Sequence, residues 1–253
     1  MHRLRTLQLF IFALAGVMTV VAPARADGWA TFKERFVSPD GRVVDNANGG
    51  ISHSEGQGYG LLLAEAAGDR PAFARIWSWT RTHLAIRDDG LLAWRYEPGA
   101  GVTDINAASD GDLLVAWALL RAAGRWDVPV YRTTARRLLS DLAEAVVVTY
   151  GGRTVMLPAP DGFVREGSVV LNPSYWVFPA LRRAAEADPD GPWADLHAQG
   201  LDVIADAPMA PSGKVPDWIA LQPDGMLRAS AELGEVWGYN AVRVPLYLIW
   251  DGR

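Results

Sequence analysis

One carboxylate sits among alternating glycines at Ser54-Glu55-Gly56-Gln57-Gly58-Tyr59-Gly60, and the apolar run Leu61-Leu62-Leu63-Ala64-Glu65-Ala66-Ala67 follows at once. That run is apolar on nearly every side and reads as a buried helix, with Ser54 as its N-cap. Glu55 then stands at the mouth of the helix, half withdrawn from water. Burial disfavours the charged form of a carboxyl, which suits a general acid working near neutral pH. The same residue serves equally well as a first-turn carboxylate that complements the helix dipole. The glycines remove side chains and let something bulky approach the backbone.

A second carboxylate is placed alike. Ala108-Ser109-Asp110-Gly111-Asp112 opens another apolar helix, and Asp110 stands to it as Glu55 stands to the first. Alone, Ser109 or Asp110 is an ordinary N-cap; two such helix mouths together can face one cleft. A third stretch, Trp237-Gly238-Tyr239-Asn240-Ala241-Val242-Arg243-Val244-Pro245, puts Asn240 and Arg243 three residues apart on one helix face. An arginine in an apolar helix needs an anionic or carbonyl partner. A cleft carboxylate and a loop carbonyl are equal candidates. Trp94, Tyr175, Trp176 and Trp218 fall in or beside long loops, each either a core plug or a platform for a sugar ring. The four histidines show no paired spacing and cysteine is absent, so no metal site is expected. Neither a nucleotide-binding loop nor a G-x-S-x-G elbow occurs, and no cofactor is expected.

These stretches need helices to carry them, and two kinds alternate. Residues 29–37, 71–84, 130–146 and 192–207 are amphipathic. Residues 55–67, 109–123 and 238–250 are apolar nearly all round, and 178–187 starts apolar at Phe178-Pro179. One-faced helices can cover all-apolar ones, so the order describes a toroid built from four helical hairpins. The connecting loops are long and rich in Gly, Pro, Asp and Asn, and such loops are usually functional. Short strands are expected within them at 153–157 and 168–171. A single domain is expected over 27–253.

The chain has 253 residues, half of them hydrophobic, enough for a sizeable core. His2, Arg3 and Arg5, the apolar run Leu7 to Val21 and the Ala24-Arg25-Ala26 cleavage site read as a secretory signal peptide over 1–26. Its apolar run is short for a membrane anchor. Removing it takes away three arginines and no acids, so the net charge falls from −5 to −8. Nucleic acid and anionic membrane are poor partners for that charge. Eleven tryptophans in an acidic exported chain suit stacking on sugars. A periplasmic or secreted location is expected.

Together the quoted stretches, with Asn172-Pro173-Ser174-Tyr175 and Pro216-Asp217-Trp218, resemble glycoside hydrolase family 8. The resemblance is strongest to periplasmic endoglucanases encoded with bacterial cellulose synthases. It implies an (α/α)6 toroid and hydrolysis of β-1,4-glucan with inversion. It implies Glu55 as proton donor, and Asp110 as the carboxylate at the cleavage point that helps hold sugar and water. Trp94, Tyr175, Tyr239 and Arg243 match or lie near sugar-contacting positions. The implied partners are a β-1,4-glucan and the cellulose synthase machinery. Two departures stand out. Asn240 replaces the Asp that serves as base in the family's cellulases, and a neutral amide cannot take a proton from water. Asp110, Asp104, Glu232 and Glu235 are then the candidate bases. The chain also holds four hairpins rather than six, which describes a shortened toroid or an open arc with exposed apolar sides on its first and last inner helices. Chitosan or mixed-linkage glucan is the alternative substrate. A glycan-binding pseudoenzyme is the alternative class, and a scaffold without a sugar site ranks last.

Overall fold

The computed structural model describes residues 24–230 and 232–253. The expected leader lies outside the described residues except for its last three, which begin the first helix. Eight helices are present among the described residues: α1 (Ala24–Phe36), α2 (Ser54–Ala67), α3 (Arg70–His83), α4 (Ser109–Trp126), α5 (Pro129–Val146), α6 (Phe178–Ala187), α7 (Trp193–Asp206) and α8 (Arg243–Trp250). The amphipathic ones lie outside and the others inside. The inner line runs α2, α4, α6, α8; α1 and α3 cover α2, α5 covers α4, and α7 covers α6. The fold is the expected run of outer and inner helical hairpins, short of a six-hairpin toroid.

Burial explains the alternation. From Ser109 to Ala123 every residue of α4 except Arg121 is buried. Each fully buried leucine there contributes about 1.5–3 kcal/mol. On α3 only the stripe Ala72, Phe73, Ile76, Trp79 and Thr80 is buried, at helical spacing. Glycine sets how closely α2 and α4 approach. A Cβ at Gly58 would lie 2.6 Å from Leu114 Cβ, and one at Gly111 would lie 2.8 Å from the Glu55 amide nitrogen. What approaches the bare backbone is therefore the neighbouring helix.

Among the described residues the loops carry nine short strands in three antiparallel sheets: β1 (Ser52–His53), β2 (Arg95–Glu97) and β3 (Gly101–Asp104); β4 (Val147–Tyr150) and β5 (Arg153–Met156); and β6 (Val164–Arg165), β7 (Ser168–Leu171), β8 (Ile219–Leu221) and β9 (Leu227–Ala229). The two expected strands are β5 and β7.

Two expectations are corrected. Ser54 is not the cap of α2; it is the first helical residue and is fully buried. The cap is His53, whose extended backbone lets Nδ1 accept the Gly56 amide at 3.0 Å. The last helix begins at Arg243, not Gly238. The Asp217 carboxylate accepts the amides of Gly238 at 2.9 Å and Ala241 at 2.7 Å, which holds 238–242 as turns. Asn240 thus stands before the helix instead of on its face. Val242, just before α8, and Leu246, Ile249 and Trp250 on it are 46–72% exposed, an apolar flank that no described residue covers.

Candidate active site

The inner helices begin at one rim, and each delivers a side chain there. Glu55 is the second residue of α2 and Asp110 the second of α4. Ser174 lies in the 3-10 turn Pro173–Tyr175 that leads into α6, and Arg243 opens α8. Arg243 joins them. Its Nη1 donates to Glu55 Oε1 and, at 2.9 Å, to Asp110 Oδ2. Its Nη2 donates to Ser174 Oγ and to Asn240 Oδ1, both at 2.9 Å. The guanidinium carbon lies 5.6 Å from the centre of the Tyr175 ring, a cation–π distance. The open choice of partner for Arg243 resolves to the carboxylates, with the Asn240 carbonyl as a longer contact at 3.4 Å.

The electrostatics follow from burial. The Asp110 side chain is 1% exposed and that of Glu55 25%. Burial first, and the Glu55 charge second, push the Asp110 carboxyl up to about 7 in spite of Arg243. The carboxyl that the fold holds high is thus Asp110. Two carboxyls share the single guanidinium, and the charge of Glu55 works against ionisation of Asp110. Next to it Asp112 is buried, accepts the Leu92 amide through Oδ1 at 2.9 Å and leaves Oδ2 without a partner. Burial pushes its carboxyl well above the ordinary range. Behind α2 the hydroxyls of Tyr59 and Tyr247 meet, and burial raises Tyr59 to about 12.

A cleft of about 350 Å³ opens over this cluster, lined by Glu55, Asp110, Trp94, Tyr175, Tyr239 and Asn240 among others. A second cavity of about 250 Å³ shares Trp94, Ala108 and Tyr175 with it and extends to Asp104. The two form one groove walled by aromatic rings, with Tyr239 97% exposed at its edge. The other loop aromatics divide as core or wall: Trp176 is a core plug whose Nε1 donates to the Leu196 carbonyl at 3.2 Å, and Trp218 stacks on Phe163 with ring centres 5.7 Å apart.

Spacing constrains the roles. Glu55 and Asp110 bond the same nitrogen, so their bonded oxygens lie within about 6 Å, two hydrogen-bond lengths. An inverting pair stands about 6.5–9.5 Å apart to admit a water. Asp110 is therefore too near Glu55 to face it across a sugar as a base. Of the other candidates, Asp104 lines the groove, whereas Glu232 is committed to Arg165 at 2.9 Å on the surface and Glu235 is exposed. The sequence reading missed Ser174, Asp45 and His53, of which Asp45 and His53 line the cleft. Among the described residues no group of three or more His, Asp and Glu could hold a metal.

Comparison with known proteins agrees with this architecture. The family model for glycosyl hydrolases family 8 matches residues 3–253. An endoglucanase of Cellulomonas uda is 41% identical over 242 residues, covering 95% of this chain and 67% of its own length. The crystal structure of endoglucanase Cel10 of Klebsiella pneumoniae superposes with a TM-score of 0.84 at 42% identity, over 89% of this chain and 73% of that one. The endo-β-1,4-glucanase CMCax of Acetobacter xylinum does so with a TM-score of 0.84 at 39% identity, over 90% and 73%. The hairpins are those of an (α/α)6 toroid. Matched over nearly its whole length and sharing this fold, the chain belongs to glycoside hydrolase family 8.

Proposed function

We propose that the protein is an endo-β-1,4-glucanase acting on cellulose-type β-glucan with inversion. The observation that carries this reading is the Arg243 clamp on Glu55 and Asp110 at the floor of an aromatic-walled groove. The endoglucanase relatives support the substrate class. Glu55 delivers the proton to the glycosidic oxygen. Asp110 and Arg243 hold the sugar at the cleavage point. Trp94, Tyr175 and Tyr239 offer ring faces to the apolar C–H faces of glucose. The water is activated by a groove carboxylate other than Asp110, and Asp104 is the one of the four candidates that remains in reach of the groove. The basic start, apolar run and A-x-A site of residues 1–26 support export to the periplasm or beyond. The resemblance of the motifs supports work beside a cellulose synthase.

Asn240 favours a second reading, a family-8 fold that holds glucan without cutting it. Both are tested by incubating the purified chain and its Glu55→Gln variant with carboxymethylcellulose, cello-oligosaccharides, lichenan and chitosan. The anomer released first is followed by NMR. The expected result is cleavage of the cello-substrates with release of the α-anomer, lowered roughly 10²–10⁴-fold by Glu55→Gln. Binding of cello-oligosaccharides without cleavage would establish the second reading, and preferential cleavage of chitosan or lichenan would change the substrate.

A further inference from the structure

His53 belongs to strand β1 and caps helix α2 at the same time, so the chain passes from sheet to helix with no loop between. The strand side is fixed: Ser52 pairs with Tyr96 and His53 with Arg95, and the Ser54 amide donates to the Trp94 carbonyl at 3.1 Å. On the helix side the Gly56 amide donates to His53 Nδ1 at 3.0 Å, one turn-end bond beside the buried Gln57, whose side-chain amide bonds Val43 and Thr80. Glu55 lies between the two anchors. The imidazole packs flat against the bare Gly56, where a Cβ would stand 3.2 Å from Cε1.

An imidazole that accepts through Nδ1 carries its proton on Nε2. That edge faces Asp45 Oδ2 at 3.6 Å, too long for a hydrogen bond but close enough for the carboxylate to favour this tautomer. Asp45 is itself pinned. Its amide donates to the Ile51 carbonyl at 2.8 Å, its carbonyl accepts the amides of Asn48 and Gly50, and its Oδ1 accepts the Ala47 amide at 3.1 Å. Asp45 and His53 both line the cleft beside Glu55. A tight turn thus holds a carboxylate, the carboxylate orients an imidazole, and the imidazole fixes the helix turn that carries the acid.

We propose that His53, oriented by Asp45, is a positioning residue for Glu55: its cap on the Gly56 amide sets the direction of the acid and its register with Trp94. The proposal rests on the glucanase reading. A misplacement of about 1 Å at a reacting group costs up to 10²-fold in rate, and the cap bond fixes the turn that carries Glu55.

The test compares His53→Ala, His53→Asn and Asp45→Asn with the unsubstituted chain. Three quantities are measured: hydrogen exchange of the Gly56 amide, kcat and KM on a cello-oligosaccharide, and the unfolding midpoint. His53→Ala is expected to speed Gly56 exchange and to lower kcat about tenfold with KM held within about twofold. Asn accepts the same amide from a cap position, so His53→Asn restores both slow exchange and kcat. Asp45→Asn keeps the cap bond and lowers kcat by a smaller factor. If His53→Ala does not fold, His53→Gln, too long for the cap, takes its place. A lowered midpoint with kcat unchanged would overturn the proposal, as would a His53→Asn variant that regains slow exchange but not kcat. If the unsubstituted chain cleaves nothing, the glucanase reading itself has failed and this proposal falls with it. Cleavage by the unsubstituted chain with no change on capping substitutions sinks the proposal alone.

Discussion

Arg243 Nη1 and Asp110 Oδ2 meet at 2.9 Å in a place where the carboxyl has lost nearly all contact with water. A guanidinium ordinarily holds a neighbouring carboxyl ionised. Here it is shared with Glu55, and burial prevails, so the Asp110 carboxyl rises to about 7. Burial and the second carboxylate thus outweigh the guanidinium and hold a proton on Asp110 up to about neutral pH.

That balance sets a pH dependence of stability. An unfolded aspartate releases its proton near pH 4, while the folded Asp110 keeps it to about 7. The native state binds the extra proton across that interval, so stability falls as pH rises from about 4 to about 7. Asp112, also pushed up by burial, adds a slope of the same sign. Urea midpoints measured at about pH 5 and about pH 7.5 are expected to differ less in Asp110→Asn than in the unsubstituted chain.

Arg243 has four side-chain acceptors on two nitrogens, which a lysine cannot serve. Arg243→Lys is expected to lower kcat/KM on cello-oligosaccharides at least about 100-fold, roughly 3 kcal/mol of transition-state stabilisation. Arg243→Ala leaves a buried carboxylate facing another without a cation, at a cost of about 3–5 kcal/mol in denaturant unfolding.

Asn240 already accepts from Arg243 Nη2 at 2.9 Å inside the cleft. An aspartate keeps that bond and adds a group able to take a proton from water. Asn240→Asp is expected to raise kcat roughly tenfold or more, read as reducing ends released at saturating substrate. An unchanged kcat would mean that a groove carboxylate already supplies an efficient base.

Gly111 is the narrowest point between the two acids' helices. Gly111→Ala sets a methyl against the Glu55 amide and Ser54 Oγ. The helices must part, at about 1–3 kcal/mol, and the acids part with them. A lowered unfolding midpoint together with a larger loss of kcat than of binding is the expected pattern.

Tyr239 is almost wholly in solvent yet lines the cleft. Nothing packs on it that its removal would expose. Tyr239→Ala is expected to leave the unfolding midpoint unchanged and to weaken cello-oligosaccharide binding by about 1–2 kcal/mol in calorimetry, the scale of one lost aromatic contact.

The helices were legible because burial writes itself as periodicity. The unbroken apolar run Leu113 to Leu120 and the striped Pro129–Val146 each permit one role, inner and outer. Glu55, Asp110 and Arg243 were legible as charges that an apolar helix has to explain. Local hydrogen bonds that override the pattern were not. Ser54 has the side chain of a cap, but the imidazole before it reaches the amide first. Residues 238–242 read as helix, yet Asp217, more than twenty residues upstream, claims two of their amides. Asp45 and His53 form a pair only because a seven-residue turn brings them together, and neither type stands out in its own stretch.

The clamp on Arg243 also orders events in time. Its partners come from α2, from α4 and from the turn before α6, and the longest of these links spans 188 residues of chain. Closure over such separations is slow compared with forming the local hairpins. In refolding, tryptophan burial in the early hairpins is expected to precede the capacity to bind glucan, which requires α8 to dock. On that expectation, the docking of α8 sets when a newly made molecule becomes competent.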